Sequence, residues 1–111
     1  KMKEVSLNDY QKMAMETAIY PLPIIYPALG LAGEAGEVAD KVKKVIRDKN
    51  SDFTNVDTKH AIAEEIGDVL WYCATLSHDL GYSLEEIGQM NYEKLKSRME
   101  RGKIHGSGDE R

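Results

Sequence analysis

The sequence predicts an all-α protein, folded as a four-helix bundle. Apolar residues recur at helical spacing through long segments, and the alternating β-branched stretches typical of strands are missing. Capping residues, glycines and prolines divide these segments into four. The chain has 111 residues, the length of one domain, so we expect residues 1–111 to form a single domain. Short connections between the helices favour antiparallel neighbours.

The first two helices are separated by a cluster of prolines. We expect the first helix over about residues 7–20, with Ser6 as its N-cap and Asp9 at capping-box spacing. Pro21, Pro23 and Pro27 end it, because proline lacks the N–H that a helix interior needs. They predict a stiff, extended connector that packs against the protein, and a second helix over about residues 28–48.

The other two helices have clearer signals at their ends. The third is expected over about residues 58–80, with Asp57 as its cap and Gly81 as its stop. Ser83 and Glu86 repeat the capping-box spacing and open a fourth helix, over about residues 84–101.

Charge and cysteine content exclude several classes of function. The formal net charge is −4 and the acidic residues are not gathered into a tail, so a basic surface for duplex nucleic acid is not expected. A single cysteine, Cys73, forms no intramolecular disulfide, and nothing resembles an export signal. The expected location is therefore the cytoplasm, with no membrane partner.

One acidic pattern occurs twice. Residues 33–38 read GEAGEV and residues 64–69 read EEIGDV, which aligns Glu34 with Glu65 and Glu37 with Asp68. Each pair is spaced i, i+3 and flanks the apolar stripe of its helix, so its two carboxylates are neighbours. If the second and third helices pack antiparallel, we expect all four carboxylates to face one space.

Four carboxylates in one partly buried space need compensation, because each raises the pKa of the others. Their hard oxygen atoms favour Mg²⁺, with Mn²⁺ as a substitute, over zinc. A di-iron site would need Glu-x-x-His pairs, and none of the three histidines stands three residues after a glutamate. The acidic motifs also contain glycines, which lower helix propensity: Gly33, Gly36 and Gly67. Glycine at these positions predicts either close contact between the helices or space for a ligand beside the carboxylates.

A different interpretation needs no metal. Glu37 with Lys41, and Asp40 with Lys44, have the i, i+4 spacing of ordinary surface ion pairs. On that interpretation the chain is a non-enzymatic helical oligomerisation or binding module.

The residues also resemble a known family. LGLAGEAGEVADKVKK, AEEIGDVLWYCATLSHDLGYSLEEI, NYEKLKSR and GSGDER together look like a MazG-like nucleotide pyrophosphohydrolase of the all-α NTP pyrophosphatase superfamily. The family signature, EExxE followed by ExxD, falls on Glu34, Glu37, Glu65 and Asp68. Gly33 replaces the first glutamate of the signature, which we take to affect a supporting position.

The resemblance implies an activity and its requirements. It implies Mg²⁺-dependent hydrolysis of a nucleoside triphosphate, with a lean towards deoxynucleotides, to a monophosphate and pyrophosphate. It also implies a homo-oligomer, a dimer or a dimer of dimers. The related phosphoribosyl-ATP pyrophosphohydrolase shares the acidic signature and stays open as an alternative.

Candidate site residues follow from the motif and its surroundings. All four acids are expected to bind metal, and either Glu34 or Glu37 to orient the attacking water. Asn91, Lys94 and Arg98 share one face of the fourth helix, in the region where the resemblance implies phosphate contacts. Tyr72 is expected beside the nucleotide, while Tyr20, Tyr26 and Trp71 are candidates to stack on a base. The tail GSGDER is a weaker phosphate-binding candidate.

Overall fold

The computed structural model describes residues 3–102, and over this range the protein is built from four α-helices. They are α1 (Leu7–Glu16), α2 (Ile25–Asp48), α3 (Val56–Asp79) and α4 (Leu84–Glu100). The predicted all-α, four-helix fold is confirmed. The tail GSGDER lies outside the described residues. None of the described helices is both long enough and apolar enough to span a bilayer.

Helix α1 ends earlier than predicted, at Glu16 rather than near residue 20. The side chain of Thr17 donates a hydrogen bond to the Ala14 carbonyl at 2.8 Å and accepts one from Trp71 Nε1 at 2.9 Å. These bonds fix the chain at Thr17 in a non-helical conformation. The predicted N-cap is confirmed, since Ser6 Oγ accepts the Asp9 N–H.

Helix α2 begins at Ile25, three residues before the predicted start. The prediction treated Pro27 as a helix breaker, but Pro27 lies in the first turn, where its missing N–H costs nothing. The connector is turned rather than extended, with φ of 56° at Leu22 and 71° at Ile24. The Ile25 N–H bonds the Pro23 carbonyl at 2.8 Å, which closes a strained γ-turn around Ile24.

Helices α3 and α4 are close to prediction, except at one cap. Asn55, not Asp57, caps α3 by accepting the Thr58 N–H, so the helix begins at Val56. Gly81 ends the segment with φ of 88°, as predicted. The Ser83–Glu86 capping box is present with both of its hydrogen bonds.

Helix α3 is the centre of the arrangement. It contacts the other three helices, α1 also contacts α4, and α2 packs on α3 alone among the described helices. The buried apolar cluster of Ala14, Ala74 and Leu84 joins α1, α3 and the start of α4, with Cys73 packed against it. The hydrophobic core therefore lies where α1, α3 and the start of α4 meet.

The apolar stripes predicted for α2 and α3 are only partly covered. Val45 is buried, but Ile46 is 57% exposed and Ile66 is 53% exposed. Because α2 packs on α3 alone, apolar side chains on the two helices stay in contact with solvent within one chain.

Candidate functional site

The repeated acidic pattern converges on the seam between α2 and α3. One carboxylate oxygen from each of Glu34, Glu65 and Asp68 lies within 4.8 Å of the others. Glu34 comes from α2 and the other two from α3, so the antiparallel pairing of these helices makes the cluster. Three of the four predicted metal ligands are thereby brought together.

Glu37, the fourth acidic residue of the repeated pattern, does not belong to the group of three, and its side chain is exposed. Its charge nonetheless acts on Glu34. Burial is the largest influence raising the pKa of Glu34, followed by the charges of Asp68, Glu65 and Glu37. The site thus concentrates negative charge that a cation would relieve.

The donor set fits a hard divalent cation. All three clustered groups are carboxylates, which Mg²⁺ and Mn²⁺ prefer, and the described residues place no histidine or cysteine among them. Glu34 and Glu65 are partly buried and Asp68 is exposed, so the cluster is open on one side. A ligand could reach it from that side.

A lysine lies beside the cluster. Lys41 Nζ is 4.0 Å from Glu65 Oε1, across the seam between the helices, rather than paired with Glu37 along its own helix. The other expected pair is present, with Lys44 2.9 Å from Asp40. Lys41 also borders a cleft of about 300 Å³ further along the seam, whose lining includes Lys44, Val45, Thr58 and Ile62.

Tyr72 of α3 lies within range of the charges of the cluster. Burial raises the pKa of Tyr72 most, and the nearby Tyr26, Glu34 and Asp68 raise it further. The predicted place of Tyr72 beside the nucleotide stays a prediction.

Sequence reasoning missed Tyr10 of α1. Tyr10 packs against the buried cluster of Ala14, Ala74 and Leu84, and its pKa is raised by burial first and then by the charge of Asp68. The sequence signal was weak, since a tyrosine on an amphipathic helix is ordinarily a core residue.

The predicted base-stacking residues form one aromatic group. The rings of Tyr20 and Tyr26 are stacked, with centroids 5.5 Å apart, and Tyr20 meets Trp71 edge to face at 6.1 Å. Trp71 in turn meets Tyr72 edge to face at 5.0 Å. The group extends from the proline connector to the tyrosine beside the carboxylates.

The residues predicted on α4 differ in exposure. Asn91 and Lys94 are exposed, whereas Arg98 is only 3% exposed. Helix α4 contacts α1 and α3 but not α2. Within one chain, α4 therefore does not meet the helix that carries Glu34 and Glu37, and the phosphate-binding role of the three residues stays a prediction.

The glycines of the acidic motif are not sites of close contact within the described chain. A Cβ placed on Gly33, Gly36 or Gly67 would have nothing within 4 Å, so close approach of helices does not explain these residues. The close approach is at Gly30, where the Tyr72 ring lies directly against the α2 backbone.

Gly30→Ala tests that contact. The added methyl would lie 2.8 Å from Tyr72 Cδ1 and closer still to Cε1 and Cζ, and the ring packs edge to face against Trp71. We expect a loss of about 2 kcal/mol in unfolding free energy, measured by urea denaturation. Gly33→Ala is the matched control, and its gain in helix propensity should stabilise the protein by up to ~1 kcal/mol. Equal effects from both substitutions would contradict the Gly30–Tyr72 contact.

Tyr20 provides a pH-dependent test of the aromatic group. Burial, then the hydrogen bond to Asp79 and the charge of Asp79, raise the pKa of Tyr20 from 10.0 to about 12. The pKa of Tyr20 is higher in the folded protein than in the unfolded chain, so the protonated hydroxyl stabilises the fold. This contribution to the unfolding free energy is complete below pH 10 and is lost as the pH rises from 10 to about 12. The ultraviolet pH titration of Tyr20→Phe is subtracted from that of wild type, and the difference should have its midpoint near pH 12. A midpoint near pH 10 would contradict the burial of Tyr20 and its bond to Asp79.

The fold and the carboxylate cluster define an all-α protein with an acidic cluster between two antiparallel helices. A family model described as the MazG nucleotide pyrophosphohydrolase domain matches residues 27–102, from the first turn of α2 through α4. The chain belongs to the MazG nucleotide pyrophosphohydrolase domain family.

Two curated relatives are similar to this chain. The Gene 37 protein of Mycobacterium phage L5 is 44% identical over 113 residues, covering 95% of this chain and 98% of that protein. The uncharacterized protein YvdC of Bacillus subtilis (strain 168) is 35% identical over 74 residues, covering 63% of this chain and 70% of that protein. No solved structure matches the chain significantly.

Proposed function

We propose that the protein hydrolyses nucleoside triphosphates to nucleoside monophosphates and pyrophosphate with the help of Mg²⁺. The convergence of Glu34, Glu65 and Asp68 within 4.8 Å carries this proposal, and membership of the MazG family supports the class of reaction. Deoxynucleoside triphosphates are the proposed substrates, with a role in nucleotide-pool control.

Glu34, Glu65 and Asp68 would hold the metal, and the charge of Glu37 acts on Glu34. Bound Mg²⁺ would neutralise phosphate charge and promote ionisation of a water molecule. Mn²⁺ offers a similar preference for oxygen ligands and is the proposed substitute.

The reaction consumes one water molecule. Its oxygen bonds to the α-phosphorus, the bond from that phosphorus to the bridging oxygen breaks, and pyrophosphate leaves. A carboxylate takes the proton of the water. We assign that role to Glu37 in preference to Glu34, because Glu37 is exposed and outside the group of three that would hold the cation.

Cationic side chains complete the phosphate site in this proposal. Lys41 reaches the cluster at Glu65 and borders the adjoining cleft, so it is well placed for the outer phosphates. Asn91, Lys94 and Arg98 are further proposed phosphate contacts. Because α4 does not contact α2 within the chain, contacts from α4 to phosphates held at Glu34 are easiest to supply from a second copy.

A homo-oligomer, a dimer or a dimer of dimers, is therefore part of the proposal. Apolar side chains of α2 and α4 are exposed in one chain, among them Leu29 at 69%, Ile25 at 57%, Met90 at 52% and Met99 at 70%. Surfaces of this kind are typical of contacts between subunits. Sedimentation equilibrium over a range of concentrations should give an assembly larger than the monomer, and a monomer throughout would refute this part.

Release of pyrophosphate is the direct test of the activity. The eight common ribo- and deoxyribonucleoside triphosphates are each incubated with the protein in Mg²⁺, in Mn²⁺ and in EDTA. We expect pyrophosphate with either metal and none in EDTA. If no nucleotide is cleaved with either metal, the proposal fails for common nucleotides; phosphoribosyl-ATP is then the substrate to test before the non-enzymatic binding module is preferred.

A further inference from the structure

The connector between α1 and α2 is held in an unfavourable backbone conformation. Ile24 has φ of 71° and ψ of −55°, a region that β-branched residues rarely occupy, and Leu22 also has a positive φ. Such a conformation persists only where its surroundings hold it.

One side chain of α3 holds it at two points. Asp79 Oδ2 accepts the Tyr20 hydroxyl at 2.7 Å and the Ile24 N–H at 3.0 Å. The Asp79 side chain is only 9% exposed; its bond to Tyr20 is partly buried, and its bond to Ile24 lies at the surface. The same oxygen thus fixes the strained turn and the tyrosine that precedes it.

The effect of this anchor extends towards the carboxylates through four rings. Tyr20 stacks on Tyr26 with an angle of 4° between the ring planes, and it meets Trp71 edge to face with the ring centroids 6.1 Å apart. Trp71 meets Tyr72 edge to face at 5.0 Å. Tyr72 in turn lies close enough to Glu34 and Asp68 to feel their charges.

Part of this group is open to a ligand. Tyr20 covers one face of the Tyr26 ring, yet Tyr26 is still 42% exposed. An aromatic surface beside a cation site suits the nucleoside part of a nucleotide, because every base has a π-face that stacks on aromatic rings.

We propose that Asp79 is a positioning residue, which holds the connector so that Tyr26 and Tyr72 form a fixed wall for the nucleoside of the substrate. This inference rests on the proposed function. Asp79 acts through Tyr20 and the Ile24 turn; it does not take part in the chemistry.

The test separates nucleoside binding from phosphate and metal binding. In Asp79→Ala we expect KM for the preferred nucleotide to rise about tenfold while kcat changes less than about twofold, because uniform binding is lost. Binding of inorganic triphosphate with Mg²⁺, measured by calorimetry, should stay as in wild type, since this ligand has no nucleoside.

Two further variants keep the test secure. Tyr20→Phe removes the hydroxyl but keeps the ring, so it should also raise KM, by a smaller factor than Asp79→Ala. It replaces Asp79→Ala as the test variant if that protein does not fold. His78→Ala is the neighbouring control, because His78 is 57% exposed and its Nδ1 is 3.8 Å from the other Asp79 oxygen. It should behave as wild type.

Each outcome decides the inference. A selective rise in KM for the nucleotide supports it. Equal loss of inorganic triphosphate binding, or unchanged KM in both Asp79→Ala and Tyr20→Phe, overturns it while leaving the proposed function intact. If wild type neither cleaves nor binds any nucleotide, the proposed function fails and this inference fails with it.

Discussion

Asp68→Asn should reduce Mg²⁺-dependent pyrophosphate release by about 100-fold or more, because it removes one of three clustered carboxylates while keeping the shape of the side chain. The remaining two acids would hold the cation less tightly and with less definite geometry. Steady-state pyrophosphate release at saturating Mg²⁺ is the measurement. Retention of wild-type turnover would contradict a role for Asp68 at the site.

The same variant should change stability in the opposite direction. Asp68 lies in a cluster of like charges, so its neutralisation relieves repulsion that no bound cation offsets in EDTA. In EDTA we expect Asp68→Asn to unfold at a temperature equal to or above that of wild type. In Mg²⁺ wild type should gain more stability than the variant, because only wild type keeps all three proposed ligands.

Glu64→Gln is the matched control. Glu64 precedes Glu65 on α3, and its side chain is 69% exposed and pairs with His60 at 3.6 Å. It carries the same kind of charge a short distance from the cluster but does not belong to it. Its substitution should leave both turnover and the Mg²⁺ effect on stability near wild type, and a loss equal to that of Asp68→Asn would indicate a general charge effect.

Gln11→Leu should lower the unfolding free energy by about 3 kcal/mol, because it removes two buried hydrogen bonds and one partly buried one, each of which contributes about 1 kcal/mol. Gln11 is 7% exposed, and its Nε2 donates to the carbonyls of Ala74 and Tyr82, each at 3.0 Å. Its Oε1 accepts the Leu84 N–H at 3.3 Å. One side chain of α1 thus joins α3, the turn after it and the start of α4.

Urea denaturation of Gln11→Leu beside Gln89→Leu measures this effect. Gln89 lies on the exposed surface of α4 and bonds only Glu93, at 3.0 Å, among the hydrogen bonds described for it. Its replacement should change the unfolding free energy by less than about 0.5 kcal/mol. If Gln11→Leu lowers the unfolding free energy no more than Gln89→Leu does, the three hydrogen bonds of Gln11 contribute little to stability.

The sequence predicted the helices well where local signals determine them. Ser6, Ser83 with Glu86, and Gly81 act within a few residues of their own position, and the structure contains their hydrogen bonds or conformation. The end of α1 could not be predicted in this way. It depends on Trp71, which is 54 residues away in sequence and bonds Thr17.

The acidic site was predictable for a similar reason. Two i, i+3 pairs that flank the apolar stripes of antiparallel helices lie near each other when they are at the same level of the seam, and Glu34, Glu65 and Asp68 do. Helical spacing could not predict that Glu37 would lie outside the group of three carboxylates, because rotation of α2 by a fraction of a turn determines which of its side chains join the group. Nor could it show that Lys41 would bond across the seam, since its i, i+4 neighbour was an equally good partner.

The packing of α2 on α3 alone has a consequence for hydrogen exchange. A helix with one neighbour can open while the others stay folded, so its backbone amides should exchange as one cooperative unit, ahead of those at the core between α1, α3 and α4. The acidic cluster spans the surface at which that opening occurs. A cation bound by both helices would therefore slow exchange throughout α2, and deuterium uptake along this helix would report occupancy of the site without any substrate.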